Sequence, residues 1–276
     1  MRGPSVGNLR MLGKANGSDR FFPFCFIAYR TLPSLDQELV TDSGESGWIL
    51  SWHNMADDGN SLLPESLRTE VVDETNIFLA DAKEPLGLGT TWGIRLRCKL
   101  RARPQGVRQF EFGLTVTGRG KLFVEGNLVI DNWTKQRQGE AFFGLGTQEE
   151  KGVINVTPGS SPEILVEFSN VSGPRESGPG GQLVQSGLRL GGRDVADEEE
   201  AMQAAVECAR AADVAVVVVG LNSDWESEGY DRRTLALPAR TDELVKKVAL
   251  ANPRTVVVTQ SVGVLLFYVK LGFLFI

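Results

Sequence analysis

The sequence predicts an α+β protein of more than one domain: an all-β sandwich over residues 39–192, followed by a partial α/β domain over residues 193–260. Three observations carry this. Short runs of alternating apolar and polar residues recur between Gly- and Pro-rich breaks as far as Leu190, the rhythm of a sandwich or barrel. The period changes to that of a helix from about Asp194. Beyond it stand two β-branched runs, 214–219 and 255–259, of the near-continuous apolar kind that buried parallel strands show.

Residues 1–38 have no clear period and are assigned no element. In the sandwich, strands are expected at 92–98, 109–116, 121–124, 152–156 and 163–168. Glu125-Gly126-Asn127 stands between two apolar runs and reads as a tight hairpin turn. Residues 172–181 read as a Gly/Pro-rich loop. Asp197, with Glu200 three residues on, reads as a helix start with acid in its first turn. Met202, Ala205, Val206, Ala209 and Ala212 then share one helical face. The strand 214–219 leads into a polar loop, 222–232. A second helix is expected from Thr241, with Leu244, Val245 and Val248 on one face, ending at Asn252-Pro253. A strand–helix–strand order predicts parallel strands and a right-handed crossover. Residues 261–276 form an apolar tail interrupted by Lys270, shorter than a membrane span of about 20 residues. The tail reads as translated non-coding sequence, such as an intron, ahead of a membrane anchor.

Composition narrows the chemistry. The chain has 276 residues, 42% hydrophobic and 23% charged, with a formal net charge of −6. That is globular material, and the acidic balance argues against a nucleic-acid partner. Cys25, Cys98 and Cys208 are too few and too scattered for a disulfide framework or a zinc site. Cys208, in a helical pattern, reads as a small buried hydrophobe. The single histidine, His53, argues against Ser-His-Asp chemistry and a histidine-based metal site. The first 20 residues lack the apolar core of a signal peptide. Sequons at Asn16, Asn132, Asn155 and Asn170 are weak support for secretion. Catalysis, if present, falls to carboxylates.

The carboxylates concentrate in the loop after 214–219, where Asp224, Trp225, Glu226, Glu228, Tyr230, Asp231 and Arg232 fall within a few residues. In open α/β sheets ligands bind beyond the carboxyl ends of the strands. Sugar chemistry needs an acid to protonate a leaving oxygen and flat rings to stack on a pyranose, and this loop supplies both residue types. Val217-Val218-Val219-Gly220-Leu221 with the loop that follows resembles the second domain of glycoside hydrolase family 3, the β-glucosidase family. Glu228-Gly229-Tyr230-Asp231-Arg232 resembles the segment bearing the family's acid/base. The likeness continues through Leu235-Ala236-Leu237-Pro238 and Asn252-Pro253-Arg254-Thr255-Val256-Val257-Val258, and stops after Gln260. The stretch from Gly120 to Trp133 resembles the signature hairpin of the protective-antigen-like sandwich, known as an insertion in that second domain. Ala28-Tyr29-Arg30-Thr31-Leu32-Pro33 resembles the segment just before such an insertion.

The resemblance implies a retaining β-glucosidase acting on β-glucosides and cello-oligosaccharides, secreted in the family, with Glu228 as acid/base and no metal or organic cofactor. It leaves room for a homo-oligomer of the full-length enzyme; a cytoplasmic location is the alternative, and no membrane partner is expected. From composition alone Glu228 would be a solvated loop glutamate. Ser223-Asp224-Trp225 superficially resembles the family's nucleophile motif but follows the wrong strand. The resemblance puts the nucleophile on a separate (β/α)₈ barrel outside this chain, so the chain alone is expected to be inactive. Asp224 and Glu226 are assigned to substrate hydrogen bonds or to holding the loop. Trp225 and Tyr230 could stack on sugar or pack beneath the loop. Asp231 and Arg232 are expected to form a structural ion pair. In the sandwich, Asp131 and Trp133 are candidate sugar contacts, against a plainer reading as turn chemistry and a packed indole. Gly144-Leu145-Gly146 has no helix after it and is not a nucleotide fingerprint. The rival from another class is a carbohydrate-binding or adhesion module that uses the sandwich alone.

Overall fold

In the computed structural model, residues 11–15, 18–22, 29–79, 83–102, 109–171, 186–195, 197–221, 225–226, 232–261 and 263 are described. They divide into two compact units, Thr31–Val195 and the pair of segments Met1–Arg30 and Ala196–Ile276. A hairpin of β1 (Met11–Ala15) and antiparallel β2 (Ser18–Phe22) lies in the region to which sequence periodicity assigns nothing.

The unit Thr31–Val195 is all β. Its strands are β3 (Leu39–Val40), β4 (Trp48–Asn54), β5 (Arg68–Val72), β6 (Asn76–Phe78), β7 (Trp92–Leu100), β8 (Gln109–Thr117), β9 (Arg119–Val124), β10 (Asn127–Asn132), β11 (Glu150–Asn155), β12 (Glu163–Ser169) and β13 (Gly187–Asp194). They form a seven-stranded sheet, in the order β10-β9-β12-β7-β4-β5 with β3 also against β7, and a four-stranded sheet, β11-β8-β13-β6. Strand alternation decides which side of each strand is buried. Trp92, Ile94, Leu96, Cys98 and Leu100 of β7 join Trp48, Leu50 and Trp52 of β4 and Ile164, Val166 and Phe168 of β12 in one apolar cluster. Phe110, Phe112, Leu114 and Val116 of β8, with Leu188 and Leu190 of β13, complete it. This cluster is the core of the unit.

The strands expected at 92–98, 109–116, 121–124, 152–156 and 163–168 correspond to β7, β8, β9, β11 and β12. The hairpin turn is at Glu125-Gly126, between β9 and β10. Both turn residues have positive φ, 49° and 73°, as the two-residue turns that match strand twist require. The unit starts at Thr31, upstream of the boundary expected at residue 39. Leu32 and Leu35 are buried; Leu35 N–H donates to Thr75 Oγ1 at 2.9 Å, and Asp36 Oδ1 accepts from Thr75 N–H at 2.8 Å. β13 is absent from the expected runs because Gly187, Gly191 and Gly192 depress strand propensity. Contact requires the last two. A Cβ on Gly191 would lie 2.6 Å from the Leu32 carbonyl oxygen, and one on Gly192 would lie 2.5 Å from the Phe110 ring.

The other unit contains α1 (Glu198–Ala211), β14 (Ala215–Gly220), α2 (Thr241–Ala251) and β15 (Thr255–Gln260). Asp197 caps α1 as expected: its Oδ1 accepts from Glu199 N–H at 2.8 Å and Glu200 N–H at 3.0 Å, satisfying two donors that the first helical turn leaves open. Met202, Ala205 and Ala209 of α1 pack with Leu244, Val245 and Val248 of α2, Val217 and Val219 of β14, and Val257 of β15. Cys208 packs at the margin of this cluster, partly buried. β14 and β15 are parallel, in register from Ala215↔Thr255 to Gly220↔Gln260. Along β14 burial alternates, with Val216 and Val218 only half-buried, rather than being complete on both faces. Glu199 of α1 pairs with Arg240 at 2.8 Å and Lys247 at 3.1 Å, and Glu243 pairs with the same two cations at 2.7 and 3.0 Å. The network ties α1 to α2. No helix among the described residues is long and apolar enough to cross a membrane, and the tail from residue 264 lies outside them.

Candidate functional site

β14 and β15 end side by side. Leu221 N–H donates to the Gln260 carbonyl at 2.9 Å, holding the exit from β14 against its neighbour. A Cβ on Gly220 would meet that same carbonyl oxygen at 1.8 Å, so the close approach needs glycine. The loop 222–232 leaves from this point. Asp224, Glu228, Tyr230 and Asp231 lie outside the described residues; Trp225, Glu226 and Arg232 lie within them.

Glu226 is the best-defined carboxylate of the loop. Its Oε1 accepts from Ser261 Oγ at 2.8 Å and from Gly263 N–H at 2.9 Å, and it faces Arg232 Nη2 at 3.8 Å. Both side chains of the ion pair are largely enclosed, at 16% and 13% exposure. Of the two roles open to Glu226 in the sequence, these bonds support holding the loop, which they tie to the chain that follows β15. The pairing expected of Arg232 with Asp231 falls on a residue outside the described ones; within them Arg232 faces Glu226. Trp225 is half-buried.

The sandwich candidates have structural contacts. Asp131 Oδ1 accepts from the backbone N–H groups of Trp133 and Thr134, both at 2.9 Å. Burial opposes ionisation there, but hydrogen bonds from Thr134 and Trp133 and the charge of Lys121 outweigh it and hold the carboxyl below its ordinary value. Trp133 is buried against Met55 and Leu62, and Lys121 Nζ sits 5.0 Å from its ring centroid. Asn132 between them is fully buried. Its Nδ2 donates to the Leu114 carbonyl at 2.9 Å and to Thr147 Oγ1 at 2.8 Å. The atom that would carry a glycan at this sequon is therefore committed inside the fold.

Gly144-Leu145-Gly146 belongs to a closed turn bridged by Gln138 and Thr147. Phe142, Phe143 and Gly144 have consecutive positive φ values of 52°, 57° and 78°, and the Phe143 ring is 78% exposed. No local motif signals that conformation, which two aromatic residues adopt only under constraint from their surroundings.

His53 is buried. Its Nδ1–H donates to the Glu65 carbonyl at 2.9 Å, leaving Nε2 to accept from Ser51 Oγ at 2.8 Å. Burial first, and the charge of Arg95 second, hold its pKa below 6.5. In the unfolded chain the imidazole takes up a proton as pH falls through about 6.5, whereas the folded protein resists it. The neutral ring's contribution is thus present above that pH and lost as pH falls below it. His53 is the chain's one histidine, so its NMR titration is directly assignable. The midpoint is expected below 6.5, and His53→Gln is expected to flatten the stability slope as pH falls below about 6.5. A midpoint above 6.5 would contradict the buried neutral ring. Cys98 is buried, and burial pushes its thiol up to about 12, so it is inert at neutral pH. Among the described residues no cluster of His, Cys, Asp and Glu could hold a metal ion.

The glycosyl hydrolase family 3 C-terminal domain matches residues 45–269, through the sandwich and across both ends of the candidate loop. The chain belongs to glycoside hydrolase family 3. This family 3 chain is 38% identical over 242 residues to probable beta-glucosidase J of Emericella nidulans, covering 84% of the chain and 27% of that protein. It is 37% identical over 242 residues to probable beta-glucosidase I of Aspergillus clavatus, covering 85% of the chain and 28% of that protein. The crystal structure of beta-glucosidase from Kluyveromyces marxianus in complex with glucose matches with a TM-score of 0.71 and 31% identity, over 85% of this chain and 27% of that one. The chain therefore spans a little over a quarter of the length of these relatives.

Proposed function

We propose that this chain supplies the acid/base loop of a retaining β-glucosidase, with Glu228 as the acid/base. One observation carries the reading: a family 3 chain, 38% identical to a probable β-glucosidase, places its carboxylate-rich loop at the carboxyl ends of parallel β14 and β15. Glu228 first protonates the glycosidic oxygen of a terminal non-reducing β-glucosyl residue as the bond to the aglycone breaks. It then deprotonates the water that hydrolyses the glycosyl-enzyme. Retention requires a second carboxylate about 5 Å away across the sugar. The family resemblance puts that nucleophile on a separate barrel domain, and a short loop has little reason to set two of its own carboxylates on opposite faces of one ring. Asp224, Trp225 and Tyr230 are assigned to the sugar side of the loop, and Glu226 with Arg232 to its anchor. Asp131 and Trp133 are left out of the sugar contacts, because their hydrogen bonds and burial commit them to the fold. The protective-antigen-like identity of the sandwich belongs to the same proposal, supported by its two-sheet architecture and the hairpin at Glu125-Gly126.

The test is to assay the native polypeptide that carries this chain for glucose release from cellobiose, with the 276-residue chain alone beside it. The native polypeptide is expected to release β-glucose first, and the isolated chain none. Turnover by the isolated chain, abolished in Glu228→Gln, would overturn the separate nucleophile. A native polypeptide inert on every β-glucoside tried would overturn the glucosidase reading itself.

A further inference from the structure

The outward face of the seven-stranded sheet holds a cleft of about 390 Å³ whose polar lining includes Ser51, Ser66, Thr69, Asp42, Arg97 and Glu163. Alternation sends Trp92, Ile94, Leu96, Cys98 and Leu100 of β7 into the core, leaving Arg95, Arg97 and Lys99 on the other face. Register then decides the neighbours of each cation. Arg95 lies opposite Glu167 of β12, and Lys99 lies opposite Glu163. Arg97 lies opposite Leu165 of β12 and Ile49 of β4, two apolar residues.

Of the three, only Arg95 pairs with the residue opposite it. Arg95 Nε binds Glu167 at 2.9 Å, and its other nitrogens donate to the Leu62 and Leu63 carbonyls at 3.2 Å. Lys99 binds Asp42 at 2.8 Å. Among the described residues Arg97 makes no ion pair, while both cations beside it on the strand do. His53 does not add charge, since burial and the Arg95 guanidinium keep its ring neutral. Arg97 shares the cleft lining with the hydroxyl residues Ser51, Ser66 and Thr69, Ser66 Oγ lying 3.1 Å from Thr69 Oγ1, and with the carboxylate residues Asp42 and Glu163.

A guanidinium is matched by a carboxylate, which accepts two parallel N–H bonds. Hydroxyls and carboxylates around it are matched by a ligand's own hydroxyls. Among the described residues no Trp, Tyr or Phe lines the cleft, so a neutral pyranose finds no described ring to stack on. The volume falls in the range of small-molecule sites. We propose that this cleft is a binding site for an acidic sugar, a hexuronate, whose carboxylate docks on Arg97 and whose hydroxyls meet Ser66, Thr69 and Asp42. The site is independent of the loop 222–232 and of any glucosidase activity.

The experiment is an amide-resolved NMR titration of the full chain with sodium D-glucuronate, set beside D-glucose and sodium phosphate at matched ionic strength. Glucuronate is expected to shift Ser51, Thr69 and Arg97, with glucose leaving them in place and phosphate at equal concentration failing to displace it. Arg97→Gln, at an exposed position that should leave the remaining spectrum intact, is expected to weaken glucuronate binding at least about tenfold. Arg97→Lys keeps the charge without the fork and is expected to fall between. Absence of shifts up to the solubility limit, equal shifts with glucose, equal competition by phosphate, or unchanged binding in Arg97→Gln would each overturn the site.

Discussion

On the proposed function, Glu228→Gln in a polypeptide that joins this chain to the proposed barrel domain is expected to lower kcat/KM for alkyl β-glucosides by about 10²–10⁴-fold, the usual contribution of a positioned general acid or base. The amide has no proton to give to a poor leaving group and cannot take one from water. Two signatures separate this from general damage. An aryl glucoside with an acidic phenol needs little protonation, so its glycosylation step should suffer far less than that of an alkyl glucoside. The pH limb due to the acid should also disappear. Glu226→Gln provides the contrast. Its carboxylate accepts from Ser261 and Gly263 and faces Arg232, so it acts through the loop's position. Its loss should therefore fall on both leaving-group classes alike, with the acid limb of the pH profile retained. If Glu226→Gln removes the pH limb and Glu228→Gln keeps it, the assignment moves to Glu226.

Phe168→Ala is expected to cost about 3–5 kcal/mol, as buried Phe truncations do. Phe168 is fully buried on β12, its ring 6.2 Å from that of Trp92. β12 is held on both sides, by β7 and by β9, with Phe168 opposite Ile94 and Gly120. Surrounding strands paired on both edges cannot collapse into the vacated space, so the cavity remains and adds to the lost transfer energy. Four of the five tryptophans, Trp48, Trp52, Trp92 and Trp133, lie in the unit Thr31–Val195. Urea unfolding followed by tryptophan emission therefore reports mainly on the sandwich, while far-UV helicity follows the unit with α1 and α2. The midpoint of the first should fall and that of the second should stay. A loss below about 1 kcal/mol would mean that the two sheets are not locked through this ring.

Much of the local structure was legible because it is written in short-range period. Alternation located β7, β8, β9, β11 and β12, and Asp197 before its acidic turn marked the start of α1. The two valine-rich runs became a parallel pair. β13 was not legible, since Gly191 and Gly192 weaken the strand signal for the sake of contacts with Leu32 and Phe110, distant in sequence. Leu32 and Leu35 looked like part of an unpatterned leader, yet both are core residues. In the candidate loop, residue types pointed to carboxylate chemistry, but Glu226's partners were invisible. Ser261 and Gly263 reach it only because β15 ends beside β14.

By itself the sequence determined the type and apolar side of the elements that carry a clear period, and the family. These follow from backbone sterics, side-chain period and residue-by-residue likeness, all of which are local. Only the tertiary structure decided which strands are neighbours, and with that the environment of each charge. Arg95, Arg97 and Lys99 read alike along β7, yet Arg95 pairs with the Glu167 that cross-strand register sets against it, Lys99 pairs with Asp42 just beyond β3, and Arg97, set against Leu165, makes no ion pair among the described residues. For Asp131 and Trp133 the sequence left sugar contact beside turn chemistry and a packed indole, and the fold makes one a backbone acceptor and buries the other, in line with the second. A charge or ring is defined by what lies within a few ångströms of it, and in a sandwich those neighbours come from residues far away along the chain.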